Sequence, residues 1–366
     1  MKNRTPYRFV FAGGGTGGHL YPALAVAQQI RMIKPESEIL FVGATNKIEE
    51  RIVPEYGFNF KPIWISGFSR KLNPGNLLFP VKLFVSSIQS FVINFKFKPR
   101  VAIGSGAYVS GPVVWAASFL GAKVMLLEQN SYPGVTNRML EKKANEIHIT
   151  FEESKKYFRD ESKLKLSGNP IRINLQLGDK AEAIKSFGLD STKKVLLVIG
   201  GSGGARSINQ AVACNLDKLN ENGIQVVWQT GQFYFEQYRN LESNSVKIFP
   251  FISDMSSAYS ACDLVLARSG ATTIAEVSFL ALPVVFVPSE NVAANHQYMN
   301  AKALKVENAA ELIEDKNLKD ELLPVVLEMM GNIARQELLK KNISLFAKPD
   351  AAKIIAESAI RLAEYM

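Results

Sequence analysis

Between Glu55 and Glu128 the chain contains no aspartate or glutamate, while Lys61, Arg70, Lys71, Lys82, Lys96, Lys98, Arg100 and Lys123 all fall in that span. This one-signed stretch, more than the net charge of +9, predicts that the N-terminal half meets an anionic partner: a phosphorylated substrate, an anionic membrane or a nucleic acid. Cysteine is equally scarce. Cys214 and Cys262 have no second thiol nearby in sequence, which argues against a disulfide framework or a zinc knuckle and fits a reducing compartment. There is no D-x-D pair, the carboxylate cluster with which metal-dependent sugar-nucleotide enzymes hold a cation, so no metal or other cofactor is expected. The segment "YRFVFAG" is too short for a signal-peptide core and nothing marks export. A spanning helix is missing as well: Pro80 opens the most apolar stretch, and Lys82, Gln89 and several serines interrupt it.

What the chain does have is size and rhythm. At 366 residues, 47% of them hydrophobic, it is too long for one ordinary core and suggests two globular domains. After "VFAGGGTGGHLYPALAVAQQI" strand-like and helix-like segments alternate through "EILFVGA", "VAIGSGA", "AKVMLLEQN" and "EIHITF". The opening pattern returns at "KKVLLVIGGSGGARSINQAV" and continues through "IQVVWQTG", "VKIFPFI", "DLVLARSG" and "LPVVFVP". Such alternation predicts an α/β architecture of two doubly wound parallel sheets. The expected division is residues 1–170, then 171–347, with a hinge near "LSGNPIRINLQLGDKAEA". A helix within 348–366, with its stripe at Ile354, Ile355, Ser358, Ile360 and Leu362, is expected to reach back over the first domain.

Three glycine turns at strand ends carry the chemistry. Gly13, Gly15 and Gly18 satisfy G-x-G-x-x-G, yet "ILFVGATN" ends the second strand without the acidic residue that a dinucleotide-binding dehydrogenase needs for its ribose. Loops of this composition hold phosphate on backbone N–H groups, and "GGGTGGH" together with "GSGAYVSGP" makes two such sites in one domain, suited to a diphosphate. His19 follows the first loop directly and precedes Pro22, which suits the first helical turn. A neutral imidazole there can accept a proton from a substrate hydroxyl. His148, inside a strand, reads as structural. In the second half "GGSGGAR" supplies Ser202, and "RSGATTIAE" supplies Glu276, whose carboxylate can take two ribose hydroxyls. With no metal cluster, leaving-group charge falls to helix N-termini and to Arg or Lys.

Taken together, "GGGTGGHLYPALAVA", "GSGAYVSGP", "LEQNSYPGVTN", "GNPIR", "GGSGGARSIN", "RSGATTIAE" and "NHQYMNA" resemble the MurG family of bacterial glycosyltransferases, in the same order from Val10 to Ala303. The resemblance implies a GT-B fold, two Rossmann-like domains facing across a cleft. It implies inverting, metal-independent transfer of N-acetylglucosamine from its UDP donor to undecaprenyl-diphospho-N-acetylmuramoyl-pentapeptide (lipid I), giving lipid II for peptidoglycan. By the same resemblance His19 is the general base for the muramoyl 4-hydroxyl. Thr16, Gly17, Gly18, Asn130, Arg172, Ser202, Ile252, Glu276 and Gln297 would serve the donor, with Ile252 reading uracil through its backbone. Gly14, Gly15, Gly104, Gly106, Tyr108 and Glu128 would serve the acceptor. It also implies a peripheral place on the cytoplasmic face of the plasma membrane, with other cell-wall synthesis proteins as partners. Four positions depart from the family pattern: Leu127 replaces His, Gly203 replaces Gln, Ala281 replaces Gly and His296 replaces Gln.

The membrane contact has its own sequence correlate. Val81, Phe84, Val85, Ile88, Phe91, Val92 and Phe95 form one helical stripe, expected to be core. Leu77, Leu78, Phe79 and Leu83 are left over beside Arg70, Lys71 and Lys82, an apolar tip ringed by cations and suited to anionic lipid. Two alternatives compete. Another GT-B sugar-nucleotide enzyme, a glycolipid glycosyltransferase or a UDP-N-acetylglucosamine epimerase, would share the loops. A nucleic-acid-binding protein would share the charge but not three glycine loops at strand ends, so no nucleic-acid partner is expected.

Overall fold

The computed structural model describes residues 7–67, 77–290 and 295–364, so Arg70 and Lys71 lie outside the described residues. The chain divides into two units, Met1–Ile173 with Lys348–Met366, and Asn174–Ala347. The first contains β1 (Arg8–Ala12), α1 (Gly17–Ile33), β2 (Glu38–Ala44), α2 (Ile48–Glu55), β3 (Asn59–Ile63), α3 (Phe79–Phe97), β4 (Val101–Gly104), α4 (Ala107–Phe119), β5 (Lys123–Glu128), α5 (Val135–Leu140), β6 (Glu146–Ile149) and β7 (Leu164–Leu166). Its seven strands run in the order β3-β2-β1-β4-β5-β6-β7. All are parallel.

The second unit repeats the plan with α6 (Lys180–Ser186), β8 (Lys194–Ile199), α7 (Arg206–Glu221), β9 (Ile224–Gln229), α8 (Phe235–Tyr238), β10 (Val246–Phe249), α9 (Met255–Ala261), β11 (Leu264–Ala267), α10 (Ala271–Phe279), β12 (Val284–Phe286), α11 (His296–Val306), β13 (Glu311–Leu312), α12 (Leu318–Gly331) and α13 (Ile333–Ser344). Its parallel sheet runs β10-β9-β8-β11-β12-β13. Central strands are buried on both faces and read as unbroken apolar runs. The strands that the sequence alternation misses, β3, β7 and β13, are all sheet edges, short and half-polar. Pro62 in β3 is tolerated because an edge strand has one unpaired side.

The last helix, α14 (Ala351–Glu364), belongs to the first unit and packs on α1. Sheet and α14 together cover α1, which explains why it is apolar nearly all round. The buried face of α14 is Ala351, Ala352, Ile355, Ala356, Ser358, Ala359, Ile360 and Ala363, whereas Ile354 points outward.

Helix α3 overturns the expected core stripe. Its buried residues are Ser86, Ser90 and Asn94, one face at four-residue spacing that packs on α4. The Asn94 side-chain amide donates to the carbonyls of Ser90 (2.8 Å) and Val113 (3.2 Å). Val81, Phe84, Ile88, Phe91, Val92 and Phe95 face outward, joined by Leu77, Leu78 and Leu83, while Phe79 and Lys82 are half-buried. Small residues let the two helix backbones approach, and the stripe's bulk is left outside. Trp115 and Phe119 of α4 extend the exposed surface, with Phe119 6.2 Å from Phe91 and 5.8 Å from Trp115 between ring centroids.

Candidate functional site

Strand order reverses between β1 and β4, and the two glycine turns of the first unit follow those strands. Ala12 pairs with Gly104, so the turns emerge side by side at the switch point where ligands of open α/β sheets bind. Ser105, not singled out from sequence, joins them. Its N–H donates to the Ala12 carbonyl (2.9 Å) and its hydroxyl to the His19 carbonyl (2.8 Å). A Cβ on Gly13 would collide with that hydroxyl at 1.8 Å.

His19 sits half-buried in the first turn of α1. Its Nδ1 lies 2.8 Å from the Ser105 carbonyl and 3.1 Å from Gln129 Oε1. A carbonyl only accepts, so Nδ1 carries the proton and the Nε2 lone pair is the basic one. Gly106, with φ +96, is glycine for two reasons: that backbone, and the imidazole lying where its Cβ would stand, 2.8 Å from Nδ1. The next residue, Ala107, is held at φ +61, a strained conformation at the threshold of α4. Pro22 lies in the second turn of α1, not the first, and has no N–H to close on the Gly18 carbonyl.

Other expected acceptor residues separate on inspection. Gly104 ends β4 fully buried, and a Cβ there would press on Val114 (3.0 Å) and Leu126 (3.1 Å). Gly15 does not offer a bare N–H, because that group donates to Glu49 Oε2 at 2.8 Å. Gly14 packs on the same carboxylate. The Tyr108 hydroxyl lies over this turn, its pKa raised above 10.0 by burial and by the Glu49 charge.

Glu128 is 2% exposed and fully engaged. Oε1 accepts from the Asn130 backbone (3.0 Å) and side chain (3.2 Å), and Oε2 from Gly134 N–H (3.0 Å) and Asn137 Nδ2 (2.8 Å). Burial raises its pKa against the opposing pull of these donors and of His19. It therefore shapes the loop that presents Gln129 and Asn130. Leu127 is buried in β5 and makes only a backbone contribution, accepting from Asn137 Nδ2 (2.9 Å).

Thr16, Gly17, Gly18 and Asn130 lie in the first unit, as does Arg172, whose guanidinium stacks 4.5 Å from the Tyr21 ring centroid. The remaining expected donor residues lie in the second unit, where two polar links draw them together. Gln229, 3% exposed, donates to the Gly201 carbonyl (3.0 Å) and accepts the Ile252 N–H (2.8 Å). That ties Ile252 to the loop of Ser202 and commits its N–H, so backbone reading by Ile252 would use its carbonyl. Ser269 donates to the Gln297 carbonyl (2.8 Å), and Gln297 Oε1 accepts from Ser289 N–H (2.9 Å). Glu276 is 4% exposed and accepts the Tyr259 hydroxyl on Oε2 at 2.9 Å. Asn300, also 4% exposed, has no partner for either amide atom among the described residues. Gln229, Tyr259 and Asn300 escaped the sequence reading because only "NHQYMNA" marked any of them. Gly203 is exposed with open space at its Cβ position. Among the described residues no three of His, Cys, Asp or Glu converge as a metal-holding group.

Residues 9–149 match the glycosyltransferase family 28 N-terminal domain and residues 195–355 its C-terminal domain. A UDP-N-acetylglucosamine--N-acetylmuramyl-(pentapeptide) pyrophosphoryl-undecaprenol N-acetylglucosamine transferase of Flavobacterium psychrophilum is 43% identical over 361 residues, 98% of each chain. The crystal structure of Acinetobacter baumannii MurG superposes with a TM-score of 0.71 at 24% identity, covering 98% of this chain and 100% of that one. The GT-B fold is shared more widely. A UDP-N-acetylglucosamine 2-epimerase structure, described as putative, from Listeria monocytogenes gives a TM-score of 0.66 at 11% identity, over 96% of this chain and 95% of that one. Two matched family domains and a full-length relative at 43% identity place the chain in glycosyltransferase family 28, among the MurG transferases.

Proposed function

We infer that this protein transfers N-acetylglucosamine from UDP-N-acetylglucosamine to lipid I and so forms lipid II. The observation that carries the catalytic half is His19, whose Nδ1–H is committed to Ser105 and Gln129. Its Nε2 is thereby a general base for the acceptor's 4-hydroxyl. Attack on the anomeric carbon from the face opposite UDP breaks the glycosidic bond to phosphate, and within the second unit the departing diphosphate charge is met by the α10 N-terminus and Ser202. Glu276, held by Tyr259, takes the ribose hydroxyls, while Gln297 serves the sugar. On the acceptor side the diphosphate is held at the α4 N-terminus, through Gly106 and Tyr108.

No helix among the described residues is long and apolar enough to cross a membrane. The outward stripe of α3 with Trp115 and Phe119 supports peripheral docking on the anionic cytoplasmic face of the bacterial plasma membrane, where the lipid-linked acceptor resides. Lys96 and Lys98 stand exposed at the end of this helix, and cations at such a rim favour anionic headgroups. The deciding experiment is transfer of radiolabelled N-acetylglucosamine from UDP to synthetic lipid I, with and without EDTA. Transfer that persists in EDTA supports the reading. Isomerisation or hydrolysis of the sugar nucleotide without acceptor, and no transfer, would make the protein an epimerase instead.

A further inference from the structure

A carboxylate, that of Glu49, is built into the first glycine turn. It stands in the first turn of α2, 1% exposed, with Oε2 accepting the Gly15 N–H (2.8 Å) and Oε1 the Ala44 N–H (2.9 Å). Two glycines make room for it: a Cβ on Gly14 would stand 2.3 Å from the Glu49 carboxyl carbon, and one on Gly43 would stand 2.4 Å from its Cγ. The side chain thus plugs the gap between the turn after β1 and the end of β2, where open loops of this composition leave N–H groups for phosphate. Tyr108 closes the outer side, its hydroxyl 3.6 Å from the position of a Cβ on Gly15.

We propose that Glu49 is an internal anion of the first glycine loop: it occupies the Gly15 N–H, fixes the turn that presents Thr16 and His19, and turns the acceptor's diphosphate away to other donors of the same unit. Two effects act together. A charge-assisted hydrogen bond fixes Gly15 more firmly than water would. A buried negative charge also repels a second anion at close range, because the surrounding medium screens it poorly. Glu49 is then a positioning and specificity residue that never touches the reacting atoms. The proposal rests on the transferase reading for its biological meaning, but its binding test uses no lipid acceptor, so each can fail without the other.

The probe is inorganic pyrophosphate, titrated calorimetrically with UDP present at saturation to fill the donor site. Glu49→Ala, which removes the charge and opens the space, should bind pyrophosphate about tenfold more tightly than wild type, the worth of one hydrogen bond to a charged group. A destabilised turn alone would not produce that gain. Glu49→Gln keeps the volume but sets an amide N–H₂ against one of the two backbone donors. It should lower kcat about tenfold with little change in donor KM, the pattern expected when the base is mispositioned. Wild-type protein supplies a measurement independent of folding in the variants: the Gly15 amide resonance should stay unmoved as pyrophosphate is added. A Gly15 shift in wild type, or pyrophosphate affinity in Glu49→Ala no greater than wild type, would overturn the proposal.

Discussion

At the scale of single residues, His19 works by committing one ring nitrogen and leaving the other to react. The Ser105 carbonyl settles the tautomer of His19 because it has no proton to give. His19→Ala should lower kcat by about 10²–10⁴-fold, the usual worth of a general base, with UDP affinity unchanged. Near-normal turnover would remove His19 from that role. Tyr259→Phe deletes the hydroxyl that holds Glu276 and should weaken UDP binding roughly fivefold, about one hydrogen bond. Because the lost contact is to ribose, affinity for 2′-deoxy-UDP should fall less, which equilibrium titration of both ligands can read. Ala281 departs from the family's glycine at a position held at φ +51. The left-handed region costs a residue with a Cβ roughly 1–2 kcal/mol, so Ala281→Gly should raise the free energy of unfolding by about 1 kcal/mol after glycine's own entropy is subtracted. Urea denaturation measures it.

At the scale of elements, α3 shows how far periodicity goes. The stripe of Val81, Phe84, Ile88, Phe91, Val92 and Phe95 is a true helical face, but the fold covers the opposite one, through Ser86, Ser90 and Asn94. The pattern tells which side chains share a face. It does not tell which face a neighbour will cover, since small polar residues suit close helix contact as well as solvent. Phe84→Ser, Ile88→Ser and Phe95→Ser together should abolish co-sedimentation with anionic vesicles and leave thermal stability nearly unchanged, as exposed substitutions do. Wild-type binding should weaken as salt rises. Ser90→Leu should do the reverse, destabilising by about 1–3 kcal/mol through overpacking against α4. If the triple variant unfolds, the stripe is core after all.

At the scale of the whole molecule, a partly buried polar cluster secures α14 to the first unit. His148 Nε2 lies 3.3 Å and Lys165 Nζ 2.6 Å from the Glu146 carboxylate, Ser358 of α14 donates to Glu146, and Arg361 donates to Ser358 (2.9 Å). Burial raises the Glu146 pKa, but the hydrogen bonds from His148, Lys165 and Ser358 prevail and bring it from 4.5 down to about 2. Burial also lowers His148 below its ordinary 6.5. For Glu146 the stabilisation is complete above pH 4.5 and is lost as pH falls toward 2, because the unfolded chain takes the proton first. The neutral, buried His148 adds a second loss below 6.5 of the same sign. Glu146→Gln should therefore be less stable than wild type at pH 7, and the gap should narrow at pH 3. A gap of constant size in urea titrations at the two pH values would show that the carboxylate charge is not what holds α14.

Much of this protein is determined by local chemistry that a sequence displays. Central strands such as "KVLLVI" and "EILFVGA" are continuous apolar runs because both faces are buried, and glycine turns follow them wherever a helix must start at once. The MurG-family resemblance, carried by motifs in fixed order, was legible for the same reason. Edge strands β3, β7 and β13 were not, because half of each stays in water and the apolar signal is lost. Nor were the partners of the site residues. Glu49 and Gly15 are 34 positions apart, His19 and Ser105 86, and Tyr259 and Glu276 17. Which N–H stays open, which imidazole nitrogen keeps its lone pair and which face of α3 meets its neighbour depend on distances across the fold, and only the tertiary structure decides them.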